Sequence, residues 1–409
     1  MADGTIIVSN WTDASFGLDV AHNFGQRTDI SDLISLKTFA NTEFCPRFLG
    51  DESDLANIGW GLRNKRVYLI STSSPQHTRV ELAMRNFLIA RAAKENGAER
   101  VVLVEPDLYF SAQDRGPHYM DHPQMTGQED RKKFDGQPFS ARMYAEMLRT
   151  AGVDQVVTVH NHKPDVLTQI YREVYKDAGE QPPFINLDIA HLIANLILRT
   201  VSMERNGANL GFVAPDQGAA DFVTRVREFT GLKHAAVVVL EKTRLGQRNV
   251  ELSATDDLRL LKGREVFILD DMVRTGGTIN GAMRLLAENP DTRPNNIYFY
   301  CTHTYISPEG RENLNSPHLT EFITTNTMPN VLNRDDQGRL RRKMVVMKIE
   351  NWIADALVHC LEEGQPPSER YGKKSVPIAD RFYKLEFSSR NDLRNLPHPD
   401  QLAFQLRGN

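Results

Sequence analysis

Short apolar runs rich in β-branched residues recur along this chain, each followed by a segment in which apolar residues return every three or four positions. The runs are "RVYLIS" (66–71), "RVVLVEP" (100–106), "QVVTVHNH" (155–162), "LGFVAPDQG" (210–218), "AAVVVLEK" (235–242), "EVFILDD" (265–271), "NIYFYCTH" (296–303) and "EFITTNT" (321–327). Helical periodicity marks 80–96, 164–176, 189–200, 219–229 and 278–288. Almost every predicted strand is continuously apolar, which is the pattern of strands covered on both faces. Strands alternating with helices then predict an α/β fold with mainly parallel sheets wrapped by helices.

Glycine and a proline pair in "KDAGEQPPF" (176–184) separate two helical patterns and predict a domain boundary. The expected domains are 1–178 and 179–363, each a βαβ array with its functional loops at the carboxyl edge of the sheet. Residues 116–138 are polar, rich in Gly and Pro, and too long for an ordinary connection, so they predict an inserted flap. Residues 364–409 open on the linker "GQPPSERYGKK" and predict a surface extension.

At 409 residues, 40% hydrophobic and 25% charged, the chain can bury a sizeable core. A net charge of -4 removes the general positive field that nucleic acid or an anionic membrane would need. Cys45, Cys301 and Cys360 are far apart and lack CxxC spacing, so neither a disulfide framework nor a zinc site is expected. No apolar run of membrane-spanning length occurs, and the N-terminus has no basic region followed by an apolar one. The expected location is the cytoplasm.

The stretch "VFILDDMVRTGGT" carries the most specific chemistry. An apolar strand ends at Asp270 and Asp271, and Gly276 and Gly277 let backbone amides approach an anion. Thr278 is read as a helix N-cap, so turn amides and the positive end of the helix form a phosphate cradle, with Thr275 and Thr278 as added donors. The two carboxylates suit sugar hydroxyls or a magnesium ion held through water. A phosphorylated sugar satisfies both halves.

This segment resembles the phosphoribosyl-binding loop of type I phosphoribosyltransferases and, more closely, that of the ribose-phosphate pyrophosphokinases, or PRPP synthetases. "VYLISTSSP", "AQDR", "VDQVVTVHNH", "VAPDQGA", "LEKTR" and "CTH" occur in the order of the synthetases' own motifs. The resemblance implies two tandem type I phosphoribosyltransferase-like domains and transfer of the diphosphoryl group of ATP to ribose 5-phosphate, with Mg2+. It implies ATP contacts from Glu43, Gln113, Asp114, Arg115 and His162, and magnesium-associated roles for His162 and Asp216. Lys242 and Arg244 become the catalytic basic residues, and Asp270, Asp271, Arg274, Thr275, Gly276, Gly277 and Thr278 the sugar-phosphate site. A homo-oligomer, dimer or hexamer, is implied with them.

Departures from the family pattern are Arg274 in place of an acid, His160 in place of an Asp, Ala112 in place of an arginine, and Gln217 to Ala219 after Asp216. An acid-to-arginine change moves local charge by two units and favours a more phosphorylated group, so a larger acceptor such as ADP-ribose is a second expectation. Arg131, Lys132 and Lys133 of the insertion could replace the charge lost at Ala112. A phosphoribosyltransferase that consumes PRPP would share the fold and the sugar-phosphate loop, and the departures also fit an inactive regulatory paralogue of an active synthetase. Without the resemblance, Asp216 reads equally as a helix N-cap and Lys242 with Arg244 as an exposed basic strand edge.

Overall fold

The computed structural model describes residues 4–50, 53–116, 128–176, 181–202, 204–244, 250–254, 257–367 and 386–387. The chain forms two compact units, Met1–Asp188 with Glu350–Gln365, and Ile189–Ile349 with Pro366–Asn409.

In the first unit the strands are Thr5–Ser9 (β1), Ile34–Thr38 (β2), Phe44–Phe48 (β3), Arg66–Ile70 (β4), Arg100–Val104 (β5), Gln155–Val159 (β6) and Phe184–Leu187 (β7). Its helices are Ser15–Phe24 (α1), Ile30–Leu33 (α2), Arg79–Glu95 (α3), Gln128–Lys132 (α4), Ser140–Ala151 (α5) and Pro164–Val174 (α6). The sheet order is β1-β4-β5-β6-β7, parallel throughout. β4, β5 and β6 are almost wholly buried, as their unbroken apolar runs require. Thr78 opens α3 with a capping box, its hydroxyl accepting from the Glu81 amide while Glu81 accepts from the Thr78 amide.

The second unit comprises Ala190–Thr200 (α7), Leu210–Ala214 (β8), Ala220–Thr230 (α8), Ala236–Arg244 (β9), Val250–Ala254 (β10), Glu265–Val273 (β11), Gly277–Glu288 (α9), Asn296–Thr304 (β12), Pro308–Leu314 (α10), Glu321–Thr325 (β13), Met344–Lys348 (β14) and Glu386–Phe387 (β15). Its sheet runs β10-β9-β8-β11-β12-β13-β14-β15, with β10 and β15 antiparallel to their neighbours and the rest parallel. One core packs α9 against the sheet through Ile279, Met283 and Leu286, which meet Val266, Ile268 and Phe299. Strand order is alike in the two units: β4-β5-β6-β7 and β8-β11-β12-β13 are successive parallel neighbours, with β5 and β11 central.

Several elements carry no continuous apolar run. β2 and β3 form an antiparallel hairpin whose residues are mostly exposed or half-buried. β7, "FINL", is four residues interrupted by Asn186, and tertiary pairing rather than local pattern makes it a strand, whereas β1 and β14 carry the short apolar runs "IIV" and "MVVM".

The helical stretch 350–362, placed in the second domain by sequence, belongs with the first unit. The helix Glu350–Ala356 packs against α1 with Trp352 buried, and Glu362 ties it to the sheet. Thr5 Oγ1 (3.2 Å) and the Tyr68 hydroxyl (2.5 Å) donate to Glu362 Oε1, and Arg66 Nη1 (2.5 Å) to Oε2. In the tail, Glu386–Phe387 pairs with β14, Phe387 opposite Met347; residues 368–385 and 388–409 lie outside the described residues.

Replacing Glu362 with Ala leaves a half-exposed arginine and a buried tyrosine hydroxyl without their acceptor. We predict a loss of about 2–3 kcal/mol in urea unfolding, with Glu362→Gln intermediate because its amide oxygen still accepts.

Candidate functional site

Strand β11 carries its chain to the carboxyl edge of the sheet, where Asp270 and Asp271 are half-buried. Both carboxylates are held by the local backbone: the Asp271 amide donates to Asp270 Oδ1 (2.9 Å) and the Met272 amide to Asp271 Oδ1 (2.8 Å). Burial holds the Asp270 carboxyl well above its usual range, and the neighbouring charges of Asp271 and then Asp216 push the same way. Three carboxylates therefore share one electrostatic environment. Among the described residues no three His, Cys, Asp or Glu side chains converge as a metal-ligating group.

The turn after β11 is fixed from its carbonyl side. The Tyr305 amide donates to the Val273 carbonyl (2.9 Å), the Ser307 amide to that of Arg274 (3.2 Å) and Asn313 Nδ2 to that of Thr275 (2.8 Å). Gly310 of α10 permits this approach, since a Cβ there would lie 2.4 Å from the Arg274 oxygen. Gly276 takes the left-handed conformation at φ 65° and its carbonyl accepts the first helical bond, from the Asn280 amide (2.8 Å).

Here the structure corrects the sequence reading of Thr278. The N-cap of α9 is Gly276, the helix begins at Gly277, and no side chain caps its first turn. Thr278 lies inside that turn, because the left-handed bend falls two residues earlier than a Thr cap would place it. The N-cap position of α9 is thus a glycine with no side chain of its own, at the positive end of the helix. Thr275 is exposed at the same turn and Gly277 is exposed beside it. Arg274 is also exposed, its guanidinium 5.8 Å from the Tyr305 ring centre.

Asp216 follows β8 and accepts from the Gly218 amide (2.9 Å) as the N-cap of a short 3-10 turn, so the N-cap reading of this residue holds. Its charge also reaches Asp270. Lys242 and Arg244 stand in the last three residues of β9, opposite Leu252 and Val250 of β10. They belong to the antiparallel β9–β10 pair; residues 245–249 lie outside the described residues.

In the first unit, Glu43 is exposed where the β2–β3 hairpin turns, its amide held by Asn41 Oδ1 (3.2 Å). Gln113 is exposed; its side-chain oxygen accepts from Ser140 Oγ (2.5 Å) and its carbonyl from the Ala141 amide (3.2 Å). Asp114 is buried and pairs with Arg115 Nε (3.3 Å), whose guanidinium lies 5.2 Å from the Phe134 ring centre. The described part of the insertion therefore packs on this loop; residues 117–127 lie outside the described residues, and Lys132 is paired with Asp135. Exposed His162 sits in the turn between β6 and α6, preceded by buried His160, which adopts φ 43°.

Sequence reasoning missed Glu105, a buried acid at the end of β5, although "RVVLVEP" ends its apolar run on an acid much as "EVFILDD" does. It also missed Gly310, whose role depends on a contact 36 residues from Arg274 in the chain.

Fold and site together define a phosphoribosyltransferase-type α/β protein, and residues 181–304 match the phosphoribosyl transferase domain family. Over most of its length the chain is similar to ribose-phosphate pyrophosphokinases. It is 29% identical over 265 residues to a ribose-phosphate pyrophosphokinase of Methanopyrus kandleri, covering 64% of this chain and 76% of the relative. It is 24% identical over 324 residues to ribose-phosphate pyrophosphokinase 1 of Streptococcus mutans, covering 78% and 85%. The fold superposes on phosphoribosylpyrophosphate synthetase from Mycobacterium smegmatis with a TM-score of 0.66 at 21% identity, over 88% of this chain and 100% of that one.

Because the native Asp270 carboxyl keeps its proton to higher pH than the unfolded chain, where it titrates near 3.8, its share of stability is complete below that value and is lost as pH rises through the raised native value. We predict that Asp270→Asn is more stable than the parent by about 1–2 kcal/mol near pH 8 and gains little or nothing near pH 4, read from urea unfolding at the two pH values.

Proposed function

We propose that the protein transfers the diphosphoryl group of ATP to the anomeric hydroxyl of ribose 5-phosphate, giving PRPP and AMP. The observation that supports it most is the juxtaposition of paired acids at the end of β11 with an α9 N-terminus that is entered through the left-handed Gly276. Amides of Gly277 and Thr278, with the Thr275 hydroxyl, would receive the 5-phosphate. Asp270 and Asp271 would accept hydrogen bonds from the ribose hydroxyls, and binding those donors relieves the carboxylate crowding described above. In the first unit Gln113, Asp114, Arg115, Glu43 and His162 would meet ATP.

The acceptor's anomeric oxygen attacks the β-phosphorus of ATP, its proton is lost, and the bond from that phosphorus to the AMP oxygen breaks. Charge spreads over the phosphate oxygens, so neutralisation is the main catalytic requirement. Lys242 and Arg244, on the β9 arm, are assigned to it. Asp216 offers a hard oxygen donor, and the described side chains supply too few ligands for a closed cage; that fits Mg2+, which binds one or two carboxylates and takes phosphate and water oxygens for the rest. The metal would supply charge neutralisation at the bridging phosphates.

Ribose 5-phosphate is the acceptor adopted. Arg274, from which the sequence raised ADP-ribose, is already engaged over Tyr305, so its presence gives no ground for a larger group. Homo-oligomeric assembly and a cytoplasmic location belong to the same proposal and rest on the resemblance; among the described residues no helix is long and apolar enough to cross a membrane.

Two outcomes test the reading. Incubation with ATP, Mg2+ and ribose 5-phosphate should yield AMP and PRPP in equal amounts by mass spectrometry, with Lys242→Ala reducing kcat by about 100-fold or more. A protein that releases no AMP is a phosphoribosyltransferase or an inactive paralogue. Gly310→Ala should raise KM for ribose 5-phosphate by about tenfold or more while leaving KM for ATP within about twofold, because the added Cβ displaces the Arg274–Gly276 backbone.

A further inference from the structure

Glu105 has no part in the reading above, yet it is the most heavily bonded carboxylate of the first unit's sheet edge. It is fully buried directly after β5. Its Oε1 accepts from Ser71 Oγ (2.7 Å), Asn86 Nδ2 (3.0 Å) and the Tyr144 hydroxyl (3.2 Å), and its Oε2 from the Tyr109 amide (2.9 Å) and the same hydroxyl (3.2 Å). The end of β4, α3, α5 and the chain following β5 thus converge on one side chain.

Glu105 stands five residues after the first residue of its central strand, the place Asp270 holds on β11. The two acids differ in what covers them. Asp270 is half-buried, whereas Glu105 is fully buried and accepts one of its bonds from the Tyr109 amide of the segment that leads to the nucleotide loop. Charged and titratable groups around it are Arg79 and Asp107, which pair with each other, and the phenols of Tyr109, Tyr144 and Tyr171. Burial raises its carboxyl to about 7, against the lowering effect of the Ser71 and Tyr109 hydrogen bonds.

From that bond the chain runs straight into the nucleotide loop. Tyr109 lies under the Arg79 guanidinium at 5.0 Å, and Phe110 adopts φ 60° with its ring 5.2 Å from that of Tyr144. The Phe110 carbonyl then accepts from the Gln113 amide (3.4 Å). A non-glycine residue at positive φ persists only where its surroundings hold it. Tyr144 supplies both a hydroxyl to Glu105 and a ring to Phe110.

We propose that Glu105 is a positioning residue for the nucleotide loop: by accepting the Tyr109 amide together with Ser71, Asn86 and Tyr144, its carboxylate sets the course of residues 107–115 and so the place of Gln113, Asp114 and Arg115 against ATP. The inference rests on the assignment of that loop to ATP. Above about pH 7 the group is a carboxylate, acceptor-only among partners that donate to it; a carboxamide of the same shape would turn an NH2 toward one of them.

The test is steady-state kinetics of the full chain with ATP and ribose 5-phosphate varied separately, beside circular dichroism and thermal unfolding. Glu105→Gln should fold and raise KM for ATP by about tenfold, the equivalent of one hydrogen bond to a charged group, with KM for ribose 5-phosphate within about twofold. Should that variant fail to fold, Tyr144→Phe, which removes one donor and keeps the ring, should raise KM for ATP by about threefold with the same selectivity. Equal rises for both substrates, or none for ATP, overturn the proposal. Arg115→Ala separates the two levels. If it raises KM for ATP while Glu105→Gln does not, the positioning role fails and the loop assignment stands; if it leaves KM for ATP unchanged, the assignment fails and the proposal with it.

Discussion

Each unit depends on a carboxylate held out of bulk water at the carboxyl end of its central parallel strand. Such a group is costly unless donors or cations surround it, so the loops that follow the neighbouring strands must return to the same edge. In the first unit the protein supplies those donors itself, through Ser71, Asn86, Tyr109 and Tyr144. In the second, Asp270 is bonded by its neighbour Asp271, through that residue's amide and its side chain, and faces negative charge from Asp271 and Asp216. The first edge is closed by the protein's own donors, while the acids of the second are half-buried and crowded by like charge.

The turn at the second edge depends on a backbone approach rather than a side chain. Carbonyls of Val273, Arg274 and Thr275 are all engaged by the segment 305–313, and Gly310 makes the closest approach possible. With its carbonyls turned to that side, the turn enters α9 through Gly276 in the left-handed conformation. Glycine is needed at Gly276 for its φ and at Gly310 for lack of a Cβ, two different reasons within one loop.

The chain's path between units follows from another buried acid. Glu362 gathers Thr5, Arg66 and Tyr68, and the helix bearing it lies on α1. A segment that follows the second unit in sequence thereby completes the first. No periodicity in 350–362 distinguishes that destination, since an amphipathic helix fits either core equally well.

The sequence by itself determined the strands with unbroken apolar runs, the helices between them and the order of acids, glycines and threonines after β11, because these are properties of neighbouring residues. It also carried the resemblance to the synthetases, through motifs kept in order. Tertiary structure decided the rest. β2 and β3 exist because each pairs with the other in a half-exposed hairpin; the cap of α9 falls on Gly276 rather than Thr278 because α10 fixes the turn; Arg274 lies over Tyr305, 31 residues on, which no charge count could show. Glu105 makes the same point most clearly. In sequence it is one acid after an apolar run, and only the convergence of β4, α3 and α5 on its carboxylate gives it a role, since hydrogen-bond partners far apart in the chain are brought together by packing alone.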